Sequence, residues 1–178
     1  MNNDLSPLYD ILRPLASQPE CKSCKLCEEH VGLVYLLGNE ATRSVDQSIP
    51  VSISSRGTQY LARTSDGCCA AFDYKANLCR IYSERPLCCR LYPLDLMRLG
   101  GEVWWVILDE CPIAQRFQRD RRLEILTALT ISLEQTLLDE QLQSWLTVDQ
   151  TSQDIEAFSS TRPSVFRLRR FGRPLSFP

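Results

Sequence analysis

The chain has 178 residues, of which 44% are hydrophobic and 24% are charged, and its formal net charge is −2. These values are ordinary for one globular domain, and the charge gives no general attraction to nucleic acid or to a membrane surface. The N-terminus has no basic stretch followed by an apolar one, and no apolar run approaches the roughly 20 residues that span a bilayer. We therefore expect a protein of the cytoplasm, or of a reducing organelle interior, where thiols stay reduced.

A short helix is predicted near the N-terminus. Ser6 is a candidate N-cap and Pro7 stands at the first helical position, where proline is well tolerated. The apolar residues that follow are spaced as on one face of a helix: Leu8, Ile11, Leu12 and Leu15. Pro14 and Pro19 are expected to limit its length.

A cysteine motif and several short elements follow this helix. Cys21, Cys24 and Cys27 recur with two residues between them, and the apolar residues 31–37 should enter the core. The polar residues 39–48 are predicted to form a loop. A strand or hairpin is predicted for the β-branched stretch 49–63, with its turn around Arg56 and Gly57. Residues 66–93 are broken by glycine and proline, so we expect turns and short elements there.

The second half of the chain is predicted to be a strand followed by helix. Glu102–Leu108 is an apolar strand candidate with a glycine turn before it. Residues 113–161 contain neither glycine nor proline, and their leucines fall close to helical spacing. We expect one long helix or two stacked helices, packed on the cysteine-bearing half.

The C-terminal residues are polar, then basic. Arginines alternate there with aromatic residues: Arg162, Phe166, Arg167, Arg169, Arg170, Phe171 and Arg173. Such a segment is either a solvated tail docked by its aromatics or a contact for an anionic partner surface. We predict a cysteine-cluster domain with C-terminal helices at 1–148 and a tail at 149–178. The predicted fold class is α+β, mainly α, with an irregular cysteine-rich metal-binding core, short strands and a long C-terminal helical segment packed against that core.

Nine cysteines carry the chemical signal: Cys21, Cys24, Cys27, Cys68, Cys69, Cys79, Cys88, Cys89 and Cys111. An odd number argues against a closed disulfide framework, and clustered thiols in a reducing compartment bind metal or do redox chemistry. Two Cys-x-x-Cys pairs make the usual zinc site, whereas three cysteines at this spacing suit three irons of a cubane cluster. His30, the single histidine, either completes a site or is structural.

Adjacent cysteines and interleaved arginines refine this prediction. Neighbouring residues of an extended chain point in opposite directions, so one thiol of each adjacent pair is expected to be spare. A centre with four thiolates carries a net charge of about −2 and needs compensation when it is buried. Arg80, Arg85 and Arg90 lie among the cysteines. They either compensate this charge or are ordinary surface residues.

A family resemblance appears at residues 67–112. The stretches Gly67-Cys-Cys-Ala-Ala-Phe-Asp73, Cys79-Arg-Ile-Tyr82 and Arg85-Pro-Leu-Cys-Cys-Arg-Leu-Tyr-Pro93, followed by Cys111-Pro112, resemble the CxxCxxCC (YkgJ-type) family of zinc- or iron-chelating domains. With the N-terminal motif, the resemblance covers about residues 21–112. The family is similar to the cysteine-rich part of flagellin lysine N-methylase, which implies an iron–sulfur cluster.

Carried over by position, the resemblance implies seven metal ligands: Cys21, Cys24, Cys27, Cys69, Cys79, Cys89 and Cys111. Cys68 and Cys88 look like extras. The family has a fourth, adjacent cysteine where this chain has Glu28. The centre is therefore expected to be single or to keep an open position.

The sequence thus favours a metal-binding protein that holds an iron–sulfur cluster, [4Fe–4S] rather than zinc. It would serve a partner protein as an assembly factor, carrier or electron-transfer module, with the helical half and basic tail as contacts. The alternatives are a structural zinc-binding interaction domain and a cluster-dependent enzyme of protein methyltransferase type. The chain has no glycine-rich nucleotide fingerprint and no module for sequence-specific nucleic-acid recognition. Its single histidine stands next to the metal motif, so the sequence gives no basis for a Ser-His-Asp or Cys-His catalytic group.

Overall fold

The fold is described from a computed structural model for residues 5–16, 34–54, 57–65, 67–99, 101–143, 145–146 and 165–172. The helices are α1 (Ser6–Ala16), α2 (Glu40–Asp46), α3 (Leu87–Leu91), α4 (Pro112–Arg119) and α5 (Leu123–Thr136). A 3-10 turn spans Tyr82–Glu84, and residues 139–143 and 145–146 are also helical. The strands are β1 (Val51–Ile53), β2 (Gln59–Leu61), β3 (Phe72–Asp73), β4 (Leu78–Cys79), β5 (Leu94–Leu99), β6 (Glu102–Leu108) and β7 (Val165–Arg170).

These strands form three small antiparallel sheets. β1 pairs with β2 and β3 pairs with β4, each as a hairpin. The third sheet has the order β5-β6-β7 and places Trp105 opposite Leu96 on one side and Arg169 on the other. A bulge interrupts the β6–β7 pairing between Trp105 and Val106. The predicted strand at Glu102–Leu108 and the predicted hairpin around Gly57 are confirmed.

A large hydrophobic core lies between α1 and the third sheet. α1 buries Leu8, Leu12 and Leu15, the face that its apolar spacing predicts. The helix continues past Pro14 to Ala16. Trp105 is fully buried at the centre of the core and contacts Trp145 edge to face, with 6.0 Å between the ring centroids. Helix α1 also packs against both α3 and α5.

A second, smaller core lies beneath the cysteine-bearing segment. Its buried residues are Leu36, Ala41, Ile49, Leu61, Ala71 and Ile81. Cys69 and Cys79 are partly buried against it. Consecutive residues Leu36 and Leu37 divide between the cores, because Leu37 belongs to the large one. The segment 34–37 therefore lies at their junction.

The chain is a mixed fold of helices and short antiparallel strands, while the predominance of helix and the long C-terminal helical segment are not confirmed. The helical conformation is interrupted between α4 and α5, where Arg121 has a φ of 55°. The loop predicted at residues 39–48 is wrong, because most of it is α2. The residues that α2 buries are Glu40, Ala41 and Ser44, so it has no apolar stripe to mark it in the sequence.

Strand β7 comes from the segment predicted to be a tail. Val165–Arg170 forms an edge of the third sheet, which the sequence analysis did not anticipate. The residues 147–164 between the last helical residues and this strand lie outside the described part. Among the described helices, none has the length and apolar character needed to cross a bilayer.

Candidate metal centre

The structure describes the downstream arm of the predicted centre, which consists of the cysteines from Cys68 to Cys111. Cys21, Cys24, Cys27, Glu28 and His30 lie outside the described residues. Six cysteines lie within the described residues: Cys68, Cys69, Cys79, Cys88, Cys89 and Cys111. The positions of these thiols decide what the downstream arm contributes.

Cys69 and Cys79 share one environment. Cys79 ends β4 opposite Phe72, and Cys69 forms an isolated bridge with Arg63. Both are half-buried against the small core. The β3–β4 turn is fixed by the Asp73 carboxylate, which accepts hydrogen bonds from the amides of residues 75 and 76 at 2.9 and 3.0 Å. The hairpin therefore holds the Cys79 position relative to Cys69.

Cys88 and Cys89 occupy helix α3. The Cys88 thiol donates to the Tyr35 carbonyl at 3.2 Å and lines a small apolar pocket with Tyr35 and Trp145. The pKa of Cys89 is raised, most of all by a hydrogen bond with Cys88 and next by burial. The nearby charge of Arg85 acts in the opposite direction. The premise that this pair is extended is wrong, because neighbours on a helix are about 100° apart rather than opposed. Which of the two binds metal stays a prediction.

Arg85 precedes helix α3 and Arg90 lies in its last turn, and the two residues are in contact. Arg85 is only 7% exposed; its Nε donates to the Tyr82 carbonyl at 3.1 Å and its guanidinium lies 3.9 Å from the ring centre. Arg90 donates to the carbonyl of Arg85 at 2.7 Å and lies 4.3 Å above the Tyr9 ring. Burial lowers the pKa of Arg90. These contacts hold the Arg85 cation where its charge acts on Cys89, with Arg90 bonded to the Arg85 carbonyl.

Arg80 and Cys111 lie elsewhere. Arg80 is exposed and donates to the Ala70 carbonyl at 2.5 Å, so it braces the turn after Cys69. Cys111 is 3% exposed within the large core and immediately precedes α4. The predicted ligands of the downstream arm therefore belong to three environments: the small core, helix α3 and the large core.

No three described Cys, His, Asp or Glu residues come together as a metal site. The donor chemistry nevertheless fits a metal centre, since thiols are the ligands that zinc and iron–sulfur centres use and the buried guanidinium of Arg85 acts on Cys89. The downstream arm can thus supply thiolates and positive charge. Donors from other parts of the chain would have to complete the centre.

The model of the CxxCxxCC family, described as "Putative zinc- or iron-chelating domain", matches residues 20–112. The chain belongs to this family. No curated protein and no solved structure gives a significant match. The family match supports metal binding by this CxxCxxCC protein.

Glu40 is a residue of this region that the sequence analysis missed. The residue is 2% exposed, and its carboxylate accepts hydrogen bonds from the Leu37 and Leu87 amides at 2.8 and 2.7 Å, and from the Tyr9 hydroxyl at 2.6 Å. Arg43 lies 3.9 Å away. Burial raises the pKa of Glu40, and burial together with the Glu40 charge raises the pKa of Tyr9. Its sequence context gives no signal, because two of its partners are main-chain groups.

Proposed function

We propose that this CxxCxxCC protein holds a [4Fe–4S] cluster and serves a partner protein as an assembly factor, carrier or electron-transfer module. The observation that carries the proposal is the dispersal of the downstream thiols among three environments. No three described donors converge, so a four-thiolate centre requires the Cys21, Cys24 and Cys27 motif. A tripod of this spacing suits three irons of a cubane and leaves one iron for a downstream thiolate.

Cys89 is the downstream thiol with the strongest support as a ligand. A cluster with four thiolates has a net charge of about −2, which is costly to bury without compensation. The hydrogen bond with Cys88 and burial raise the pKa of Cys89, and the buried Arg85 partly offsets that rise with a charge that favours the thiolate. Arg90 is bonded to the Arg85 carbonyl and adds a second cation. Cys69, Cys79 and Cys111 remain proposed ligands on the family resemblance, and Arg80 remains a proposed source of compensating charge.

A partner surface is proposed on helix α5 and strand β7. Ile131 and Phe166 are 42% and 43% exposed, and Arg167 is exposed beside Phe166. By contrast, Arg169 and Arg170 form ion pairs within the chain, with Glu134 and Glu102. Among the described arginines of the basic segment, the anionic-partner hypothesis therefore rests on Arg167, while Arg162 and Arg173 lie outside the described residues.

A structural zinc site is the second candidate function. Cys69 and Cys79 pack against a small core of six buried residues, and a metal that joins them to the N-terminal motif would stabilise that core. Zinc sites of this kind contribute directly to folding. The two candidates differ in colour, in sulfide content and in the effect of losing one ligand.

Purification without air, followed by an absorption spectrum and by iron, zinc and sulfide analysis, tests the proposal. We expect a brown protein with iron and acid-labile sulfide in equal amounts. A colourless protein with stoichiometric zinc and no sulfide would favour the structural zinc site and overturn the cluster.

Two matched cysteine variants then separate a functional centre from a structural one. Cys24→Ser removes a predicted ligand, whereas Cys68→Ser removes a predicted extra thiol. We expect Cys24→Ser to lose the cluster and keep its helix content, and Cys68→Ser to keep both. If Cys24→Ser unfolds and Cys68→Ser does not, the metal is required for folding.

A further inference from the structure

Glu40 joins three parts of the chain that are distant in sequence. Its Oε2 accepts the Leu37 amide, and its Oε1 accepts both the Leu87 amide and the Tyr9 hydroxyl. Leu37 follows the N-terminal cysteine motif along the chain, Leu87 is the first residue of α3, and Tyr9 lies on α1. One buried carboxylate therefore connects segment 34–37 and helix α1 to the helix that carries Cys89.

A second contact joins the same two segments. The Cys88 thiol donates to the Tyr35 carbonyl at 3.2 Å, two residues before Leu37. The segment 34–37 and helix α3 are thus held by a carboxylate on one side and by a thiol on the other. Arg43 and Arg90 face the carboxylate's partner Tyr9, at 5.5 and 4.3 Å from its ring centre.

A neutral amide cannot replace this carboxylate. Burying a carboxylate costs free energy unless it is well hydrogen-bonded, and Glu40 accepts three hydrogen bonds. A glutamine has one acceptor oxygen and one donor group in the same volume. In one orientation it meets the Leu87 amide donor to donor, and in the other it meets the Leu37 amide in that way. Glu40→Gln must therefore release one of the two segments.

We propose that Glu40 is a positioning residue for the metal centre, because it fixes the start of helix α3, which carries Cys89, against segment 34–37 and helix α1. This inference rests on the proposed function, since it requires that Cys89 is a ligand. Side chains that hydrogen-bond to and orient metal ligands typically contribute 10- to 100-fold to metal affinity. The same factor applies to Glu40 if it holds the Cys89 helix in place.

Glu134 provides a matched control. It is also a buried glutamate, 8% exposed, and it also accepts hydrogen bonds from a side chain and from a main-chain amide, those of Trp105 and Gly172. Trp105 and Gly172 lie in the third sheet and just after β7, outside the cysteine-bearing segment. Glu134→Gln therefore perturbs a buried carboxylate without removing a hydrogen bond to helix α3.

The experiment is an anaerobic Co²⁺ titration of the full chain, followed by the thiolate-to-cobalt absorption band. Glu40→Gln should bind Co²⁺ about 10- to 100-fold more weakly than wild type and give an altered band per bound ion. Glu134→Gln should bind as wild type does. Wild-type affinity and band shape in Glu40→Gln, or an equal loss in both variants, would overturn the inference. A wild type that binds no Co²⁺ through thiolates would also overturn the inference, whereas the proposed cluster is tested separately by iron and sulfide analysis.

Amide hydrogen exchange of the wild-type protein tests the same inference should Glu40→Gln not fold. Metal binding and the Glu40 hydrogen bonds must stabilise each other if they are coupled. The Leu37 and Leu87 amides should then exchange more slowly when Co²⁺ is bound, while the Gly172 amide should not change. Equal slowing at all three amides, or no slowing at Leu37 and Leu87, contradicts the positioning role.

Discussion

Trp105 donates its indole N–H to Glu134 Oε1 at 2.8 Å, so strand β6 is tied to helix α5 inside the large core. The same oxygen accepts Arg169 of β7 at 2.5 Å, and the Gly172 amide lies 3.2 Å from Oε2. One buried carboxylate thereby holds the edge strand β7, which the sequence analysis predicted to be a tail.

Replacing Glu134 should destabilise the fold. Glu134→Ala leaves the Trp105 indole and Arg169 without their shared acceptor, which we expect to lower the free energy of unfolding by about 3 kcal/mol. Glu134→Gln still offers an oxygen to Trp105 and should cost about 1 kcal/mol. Urea unfolding of each variant measures these values. The exposed Glu124 of the same helix is the control, and its alanine variant should lose less than about 1 kcal/mol. Equal losses at both positions would contradict the role given to Glu134.

Arg85 should be required for retention of the metal centre. Arg85→Met removes the buried cation beside Cys89 and should lower the metal content after anaerobic purification, because the negative centre loses its compensation. In the fraction that retains a cluster, the reduction potential should become more negative, since a nearby positive charge favours the added electron. Arg85→Lys should fall between Arg85→Met and wild type, because it keeps the charge but loses the planar stacking on Tyr82.

The control for this prediction is Arg13→Met. Arg13 forms an ion pair with Asp10, and their side chains are 77% and 69% exposed on α1. Metal content and potential in this variant should equal those of wild type. A wild-type potential and metal content in Arg85→Met would exclude the compensating role.

The sequence predicts the elements whose burial is apolar and periodic. Helix α1 and strand β6 are recognisable because α1 buries Leu8 and Leu12, and β6 is an unbroken apolar run. Helix α2 is missed because its buried face is Glu40, Ala41 and Ser44. Strand β7 is missed because alternating arginines resemble a solvated segment, and only pairing with the distant β6 makes it a strand.

The same distinction applies to the candidate site. Cysteine spacing identifies the metal-binding character, which the family match supports for residues 20–112. It does not reveal that Cys69 and Cys79 lie on one core while Cys111 lies in another. Glu40 is also invisible in the sequence, because its partners include two main-chain amides brought together by folding.

Cys88 and Cys89 should respond differently to substitution. Cys89→Ser should lose the metal, since Cys89 is the predicted ligand beside Arg85. Cys88→Ser keeps a donor for the Tyr35 carbonyl and should bind metal as wild type does, whereas Cys88→Ala loses that hydrogen bond and should be less stable by about 1 kcal/mol. Metal analysis and urea unfolding distinguish the three variants. Loss of metal in Cys88→Ser with retention in Cys89→Ser would reverse the assignment.

Asp73 should make the β3–β4 hairpin sensitive to acid. Hydrogen bonds from the amides of Ala76 and Lys75 hold the pKa of Asp73 below its usual value. A carboxyl whose pKa is lower in the folded than in the unfolded state stabilises the fold above its unfolded pKa, and this contribution disappears as the pH falls through the folded pKa. Wild-type metal-free protein should therefore exceed Asp73→Ala in stability at about pH 7, and the difference should shrink towards about pH 2.5.

Asp73→Asn separates the charge from the turn. The asparagine oxygen can still accept the amides of residues 75 and 76, so this variant should keep part of the stability and lose the pH dependence that Asp73 contributes. Urea unfolding of the metal-free proteins at the two pH values measures both effects. A difference between wild type and Asp73→Ala that is the same at both pH values would show that the carboxylate charge does not hold the hairpin, and the position of Cys79 would then depend on the β3–β4 pairing alone.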